Sequence, residues 1–225
     1  MFTKNVKSAE NREAAPRRRG RPAGPTSQGL AAQQKLYDTA IALIAERGYE
    51  RTTMRDVADQ AGVSVGLLYR YFPNKRAVVM SLYDVLSQEQ SARAADLPKG
   101  AWRDRFVFAL DASLSVLRPH RRTLSALIPV MVSADADGLF GSATAFSRQR
   151  VQSVFQDAVV GAKDAPKGEL AAALGRLLYL VHLAVILWWL LDRSPSQRAT
   201  GGLVGLIKQL LPMASLALKG KRVCF

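Results

Sequence analysis

The sequence is poor in the residues that most often build catalytic and metal sites. It contains one cysteine and two histidines in 225 residues. Cys224, next to the C-terminus, has no second cysteine to pair with, which excludes an internal disulfide framework and a thiolate metal cluster. No metal-ligand spacing and no glycine-rich phosphate loop occurs. These absences argue against an enzyme, a bound metal and a cofactor, and the single thiol fits a reducing cytoplasm.

A long hydrophobic segment is also missing. The longest apolar run, 177–191, has 15 residues and includes His182, whereas a membrane-spanning helix needs about 20. The arginines at positions 17, 18, 19 and 21 are followed by no apolar segment, so an export signal is not predicted. We therefore expect a buried core or interface helix over 177–191 and no membrane partner.

Positive charge is abundant. The formal net charge is +14 and the apolar content is 48%, which favours a folded chain with an anionic partner, because Lys and Arg placed against phosphates release counterions. Residues 1–76 are about twice as basic per residue as the remainder. Charge alone does not distinguish DNA from RNA or a membrane.

Hydrophobic periodicity predicts helices throughout and no strand, so the expected fold class is all-α. Residues 1–30 are rich in proline, glycine and polar residues and are predicted to be a flexible basic arm. A three-helix unit is expected over 31–76, followed by a linker helix and a C-terminal helical domain over 77–225. The helices expected after the linker cover 102–117, 121–134, 139–161, 169–192 and 196–219, and Pro212 is expected to kink the last one.

Residues 52–75 carry the pattern of a helix-turn-helix. Thr53 and Asp56 form a predicted capping box at the start of a short helix, Gly62 permits a sharp turn, and Ser64 is a suitable N-cap for the next helix. In this motif the second helix enters the DNA major groove and its first residues contact base edges. The pattern therefore predicts a DNA-reading surface.

Polar and aromatic side chains on the second helix are the expected DNA contacts. Base readout is assigned to Val65, Gly66 and Arg70, because Gly66 allows close backbone approach and Arg70 is the long cation of this helix. The complete set of predicted contacts is Thr53, Ser64, Val65, Gly66, Tyr69, Arg70, Tyr71 and Lys75. Taken singly, each residue is equally well explained as a helix cap or a surface aromatic.

The combination of these residues resembles the TetR (tetracycline repressor-like) family. The resemblance covers Ala40 to Lys75 through Gly48-Tyr49-Glu50, Thr52-Thr53, Arg55 to Ala58, Ala61 to Ser64, Gly66, Leu68-Tyr69, Tyr71-Phe72 and Lys75. It implies that Thr53, residues 64–71 and Lys75 contact DNA, with Val65 and Arg70 at positions that vary. It also implies an all-helical C-terminal domain that dimerises and binds an inducer.

The N-terminal arm contains a second, weaker motif. Arg19-Gly20-Arg21-Pro22 resembles an AT-hook, whose arginines lie in a narrow A·T-rich minor groove. Arg19 and Arg21 are therefore candidate DNA contacts. The alternative is a solvated basic tail that adds nonspecific attraction to phosphates.

The C-terminal helices carry two further predictions. Aromatic and soft residues that could line an inducer pocket are Phe106, Met131, Phe146, Phe155, Tyr179, His182 and Trp188. Apolar residues that could form a dimer interface are Leu187, Leu203, Leu206, Ile207 and Leu210. Core packing is the alternative for the first set, and burial within one chain is the alternative for the second.

Taken together, the sequence predicts a homodimeric, cytoplasmic transcriptional regulator. Its partners are expected to be a double-stranded DNA operator and an unidentified small-molecule inducer that releases a repressor. Two alternatives remain at this point: an architectural, weakly specific DNA-binding protein that relies on its basic arm, and a helical enzyme or carrier.

Overall fold

The computed structural model describes residues 26–133 and 138–220, with side chains up to Leu216. Within these ranges the regular secondary structure is helical and contains no strand, which confirms the all-α class. The α-helices are α1 (Ser27–Arg47), α2 (Met54–Ala61), α3 (Val65–Tyr71), α4 (Lys75–Ala94), α5 (Trp102–Leu117), α6 (Arg121–Ala126), α7 (Ile128–Met131), α8 (Ala145–Val160), α9 (Glu169–Leu191) and α10 (Arg198–Gly220).

The first three helices form a small unit around one apolar cluster. Helix α1 begins at Ser27, four residues before the predicted start, because the hydroxyl of Thr26 accepts a hydrogen bond from the backbone N–H of Gly29 at 3.2 Å and caps the helix. Leu36 of α1, Leu68 of α3 and Phe72 are almost fully buried in the cluster. This packing fixes the positions of α2 and α3 relative to each other.

A second cluster fills the C-terminal bundle. Trp102, Phe106 and Phe155 are its largest buried side chains, and helices α8 and α9 run side by side along it. The rings of Phe106 and Phe155 lie 5.9 Å apart in a tilted arrangement, which aromatic pairs prefer over face-to-face stacking. Helices α5, α8 and α9 therefore form the rigid part of this domain.

A third cluster joins the two parts, and we call it the joining cluster. Its buried residues are Ile44, Val79, Leu82, Leu86, Val116, Leu117, Leu124, Leu127, Ile186, Trp189 and Leu190. They come from α1 and α4 on one side and from α5, α6 and α9 on the other. Movement within the C-terminal domain therefore has a packed route to α1 and α4.

Two predicted helices have different bounds in the structure. The helix expected over 121–134 is divided into α6 and α7 at Leu127, and Pro129 occupies the first turn of α7, where its missing N–H costs no hydrogen bond. The helix expected from 139 starts only at Ala145, after a series of turns. Helix α10 is assigned as one helix through Pro212.

Helix α9 matches the helix predicted over 169–192 and extends the 15-residue apolar run toward its N-terminus. The helix has 23 residues, and the mean hydropathy of its most apolar 18-residue stretch is 2.1. By length and composition alone it could cross a membrane. Its inner face, including Leu178, Val185 and Trp189, is nevertheless buried against the rest of the protein. This burial matches the expected core helix, whereas its outer face carries exposed leucines.

Candidate functional site

The turn between α2 and α3 has the geometry that the sequence predicts. The hydroxyl of Thr53 accepts from the backbone N–H of Asp56 at 3.1 Å, and the backbone N–H of Thr53 donates to the Asp56 carboxylate at 2.8 Å. This reciprocal pair is the predicted capping box. Gly62 then adopts the left-handed conformation with φ of 67°, and the Ser64 hydroxyl caps α3 by accepting from Leu67 at 3.2 Å.

Hydrogen bonds from Thr53 also stabilise the ionised carboxylate of Asp56. The Thr53 hydroxyl donates to the Asp56 carboxylate at 2.7 Å, and this bond together with the backbone bond lowers the pKa of Asp56. The ionised carboxylate lies near the positive end of α2, which it complements. Thr53 thus has a structural role in the absence of DNA.

Helix α3 presents a continuous exposed surface. Ser64, Gly66, Tyr69 and Arg70 are exposed, and no described atom lies within 4 Å of the position that a Cβ on Gly66 would occupy. Val65 is half-buried and packs against the N-terminal cluster, as expected for a residue that faces both ways. The first two turns of α3 are therefore exposed and free to enter a DNA groove.

Tyr71 and Lys75 are tied to neighbouring segments. The Tyr71 hydroxyl lies 3.3 Å from the ideal Cβ position at Gly29, close to the start of α1. The ammonium of Lys75 donates to the backbone carbonyls of Tyr49 and Glu50 and lies 4.1 Å from the centre of the Tyr49 ring. Since an ammonium has three donors, these two contacts leave one donor for another acceptor.

Two exposed arginines near the N-terminus of α2 were not among the predicted contacts. Arg51 and Arg55 are exposed beside the N-terminus of α2, and Nε of Arg51 donates to the carbonyl of Arg47 at 2.8 Å. Their positions on either side of Thr53 could have marked them as candidate DNA contacts. Arg19 and Arg21 lie outside the described residues.

A cavity of about 120 Å³ lies between α4, α8 and α9. Three of the predicted pocket residues, Met131, Tyr179 and His182, line it. Phe106 and Phe155 are fully buried behind it, with the Phe155 ring 4.5 Å from the ring of His182. Phe146 and Trp188 are exposed at the surface, so the structure places them away from the cavity.

One wall of the cavity was missed in the sequence analysis. Helix α4 contributes Tyr83, Leu86, Ser87 and Gln90, and α8 contributes Arg148. Polar residues recur at helical spacing within the apolar stripe of α4. This interruption of the stripe was the feature of the sequence that could have indicated a cavity wall. The cavity therefore borders the helix that begins directly after the helix-turn-helix.

Among the described titratable groups that line this cavity, His182 has the pKa that departs furthest from its ordinary value. It is 3% exposed, and its Nε2 lies 2.8 Å from the hydroxyl of Ser113. Burial disfavours the charged imidazolium and lowers the pKa of His182 from 6.5 to about 3. Burial likewise raises the pKa of Tyr179 to about 12, so both groups are neutral at physiological pH.

We expect the protein to lose stability through His182 as the pH falls from 6.5 toward 3. In this range the unfolded chain binds the extra proton, so the stabilisation is fully present above pH 6.5 and about 2 kcal/mol of it is lost at pH 5. Urea unfolding at pH 7 and pH 5 measures the loss. The His182→Gln variant does not titrate and should show a difference smaller by this amount, and an unchanged difference would contradict the assignment.

The predicted dimer residues fall into two groups. Leu187, Leu206 and Leu210 are between 40% and 51% exposed on the outer faces of α9 and α10. Leu203 and Ile207 instead pack inward against the C-terminal core. Further exposed residues on the same outer faces are Leu177, Leu180, Trp188, Leu191 and Met213.

Comparison with known proteins matches the helix-turn-helix to a family. The sequence model described as "Bacterial regulatory proteins, tetR family" matches residues 36–82. The HTH-type transcriptional repressor KstR2 of Rhodococcus jostii is 32% identical over 116 residues, which are 48% of this chain and 57% of the relative. The repressor KstR of Mycobacterium tuberculosis is 45% identical over 49 residues, which are 22% of each chain. The chain thus spans less than two thirds of the length of these relatives.

A solved structure extends the likeness to the whole fold. The transcriptional regulator FadR from Bacillus subtilis, solved in complex with stearoyl-CoA, superimposes with a TM-score of 0.62 at 18% identity. The alignment covers 79% of this chain and 96% of that one. The N-terminal match identifies residues 36–82 as a domain of the tetR family of bacterial regulatory proteins, and the described chain shares its helical fold with a solved regulator.

Proposed function

We propose that this protein is a sequence-specific DNA-binding transcriptional repressor that a small molecule releases from its operator. The observation that carries this proposal is the exposed, capped helix α3 after the left-handed turn at Gly62. A helix held in this way fits the major groove, which is about 12 Å wide. Two relatives of this chain are named as repressors, which supports repression over activation. A DNA partner implies a cytoplasmic protein, and the proposed activity is binding without turnover.

The predicted DNA contacts divide into two proposed roles. Val65, Gly66 and Arg70 contact base edges, because Gly66 and Arg70 are exposed, Val65 is half-exposed at the first position of α3, and Arg70 has the donors that guanine accepts. Thr53, Ser64, Tyr69, Tyr71 and Lys75 contact phosphates and fix the position of the helix. Arg19 and Arg21 add minor-groove or nonspecific phosphate contacts.

A homodimer completes the proposed reader. The outer leucines of α9 and α10 form an exposed apolar surface, and such surfaces on soluble proteins commonly mark a protein partner. A second copy of the same surface is the simplest partner, since two-fold interfaces pair one patch with itself. The two α3 helices then enter successive major grooves about 34–36 Å apart.

The small molecule acts in this proposal through the joining cluster. Leu86, Leu117, Leu124, Ile186 and Leu190 line the cavity and also belong to that cluster. Ile44 of α1 and Val79 of α4 are packed in the same cluster. A ligand that enlarges the cavity therefore displaces α4 and alters the spacing of the two α3 helices. It releases DNA because it binds better to the conformation with mismatched spacing.

Substitutions of three predicted DNA contacts test the proposed roles. Tyr69→Ala and Lys75→Ala should weaken binding to operator and to random duplex alike, by about tenfold, because phosphate contacts carry no sequence information. Arg70→Ala should weaken operator binding by about 5–100-fold and leave random-duplex binding nearly unchanged. Fluorescence anisotropy at one fixed salt concentration measures both affinities.

Arg122→Ala is the matched control, because Arg122 is an exposed arginine on α6 and outside the proposed interface. It should change neither affinity. If the Tyr69, Lys75 and Arg70 variants all lower both affinities equally, the assignment of base readout is wrong. A steep salt dependence with no operator preference in the unaltered protein would instead favour an architectural DNA-binding protein that relies on its basic arm.

A further inference from the structure

The cavity contains a buried amide that lacks a partner. Gln90 on α4 is 3% exposed and lines the cavity, and its Nε2 has no hydrogen-bond partner among the described residues. Burying an unpaired amide is costly, and such groups are nearly always satisfied in folded proteins. Gln90 therefore offers a donor to an acceptor atom that enters the cavity.

His182 supplies a second polar atom of this kind. Its Nε2 is engaged by Ser113, whereas its Nδ1 is buried and has no partner in the described part of the chain. The Phe155 ring lies 4.5 Å from the imidazole and limits its movement. Because a neutral imidazole has one N–H and one lone pair, Nδ1 offers one or the other, and a hydroxyl group can pair with either.

The surroundings of these two atoms favour an uncharged ligand. Of the described side chains that line the cavity, none is acidic and Arg148 is the only permanent cation. Arg148 is half-exposed, so water reaches its guanidinium, and its Nη1 donates to the backbone carbonyls of Leu139 and Gly141, both at 3.0 Å. The remaining lining is largely leucine, isoleucine, valine and methionine, in which an ion would lose its hydration.

The geometry points to an effector that is predominantly apolar and uncharged. We propose that its hydroxyl or carbonyl oxygen accepts a hydrogen bond from Nε2 of Gln90 and that a hydroxyl of the same molecule pairs with Nδ1 of His182. This inference rests on the proposed function, because it names the chemistry of the molecule that controls DNA binding.

The size of the cavity sets the scale of the first probes. Its volume of about 120 Å³ is close to the roughly 150 Å³ of an engineered apolar cavity that binds benzene. An adjoining groove of about 330 Å³ shares Met131 and Leu183 with the cavity. Since methionine side chains reorient easily, displacement of Met131 gives room for a larger molecule.

Binding of toluene, phenol and benzoate to the full-length protein tests the proposal. Toluene and phenol have nearly the same shape and differ in one methyl or hydroxyl group, and benzoate adds a negative charge. We expect phenol to bind at least threefold more tightly than toluene and at least tenfold more tightly than benzoate at pH 7. If the cavity offered no polar partner, burial of the phenol hydroxyl would cost desolvation free energy, and toluene would bind more tightly than phenol. Calorimetric titration measures the affinities.

Variants assign the preference to the two residues. Gln90→Met should lower the affinity for phenol about tenfold and leave that for toluene within twofold. The double variant His182→Phe/Ser113→Ala should likewise lower the affinity for phenol and leave that for toluene within twofold. The Ser113→Ala change is included because removal of the imidazole alone would leave the serine hydroxyl unpaired. Gln88→Met is the matched control, because Gln88 is an exposed glutamine on the same helix, and it should change neither affinity. Gln90→Met should also raise the melting temperature of the ligand-free protein, because it removes an unpaired buried amide.

Tighter binding of toluene or benzoate than of phenol would overturn the proposal. The absence of binding by all three probes would also overturn it. So would a preference for phenol that the Gln90→Met variant retains. The proposed function fails separately. If phenol binds with the expected preference but no molecule that occupies the cavity changes operator affinity, the cavity chemistry stands and the regulatory role does not. If an anion releases the operator from the cavity more effectively than neutral molecules, regulation stands and the assigned ligand class does not.

Discussion

Replacing Leu180 and Leu187 together with glutamate is expected to convert a dimer into a monomer and to lower operator affinity by about 10²–10⁴-fold, the factor that linking two binding modules contributes. Both leucines are at least 40% exposed on the outer face of α9. Four glutamates on the two facing surfaces of a dimer would lose hydration and repel one another. Sedimentation velocity gives the association state, and anisotropy gives the affinity.

Val160→Glu is the control for this experiment. Val160 is 59% exposed at the end of α8, so the substitution adds a charge at an exposed apolar position on a different helix from Leu180 and Leu187. It should leave both the association state and the operator affinity unchanged. A Leu180→Glu/Leu187→Glu variant that remains dimeric and binds the operator normally would show that the dimer uses another surface.

The largest expected loss of stability follows from Phe155→Ala, at about 3–5 kcal/mol. Phe155 is fully buried and packs against the rings of Phe106 and His182, so its removal leaves a cavity that rigid neighbouring helices cannot close. Urea unfolding followed by circular dichroism measures the change in the free energy of unfolding.

Phe146→Ala provides the comparison on the same helix. Phe146 is 69% exposed, and its ring contacts the guanidinium of Arg150 at 4.5 Å. Since an exposed cation–π contact contributes about 0.5–1 kcal/mol, this variant should lose no more than that. A similar loss from both variants would contradict the assignment of Phe155 to the rigid core of the C-terminal domain.

The helix-turn-helix was predictable because its geometry depends on local chemistry. The capping box of Thr53 and Asp56, the left-handed Gly62 and the cap at Ser64 each involve residues within three or four positions of one another. Such interactions follow from side-chain type and spacing alone. The exposure of Arg70 and Tyr69 then followed from the face of α3 that the cluster around Leu68 buries.

The C-terminal domain was less predictable because its helices are apolar on several faces. Helix α9 has leucine or tryptophan on both its inner and its outer sides, so the sequence could not show that Trp189 is buried whereas Trp188 is 51% exposed. That choice depends on where α8 packs. The cavity wall from α4, with Gln90, likewise results from packing between segments that are far apart in sequence.

In the proposed dimer, two copies of α3 read a symmetric DNA site. Selection of bound duplexes from a fully randomised library by the full-length protein, followed by sequencing, tests this claim most directly. The predicted result is an inverted repeat whose half-site centres lie about 10–10.5 base pairs apart, or a multiple of that spacing. Recovery of no enriched sequence, or of an enriched sequence without two-fold symmetry, would contradict it.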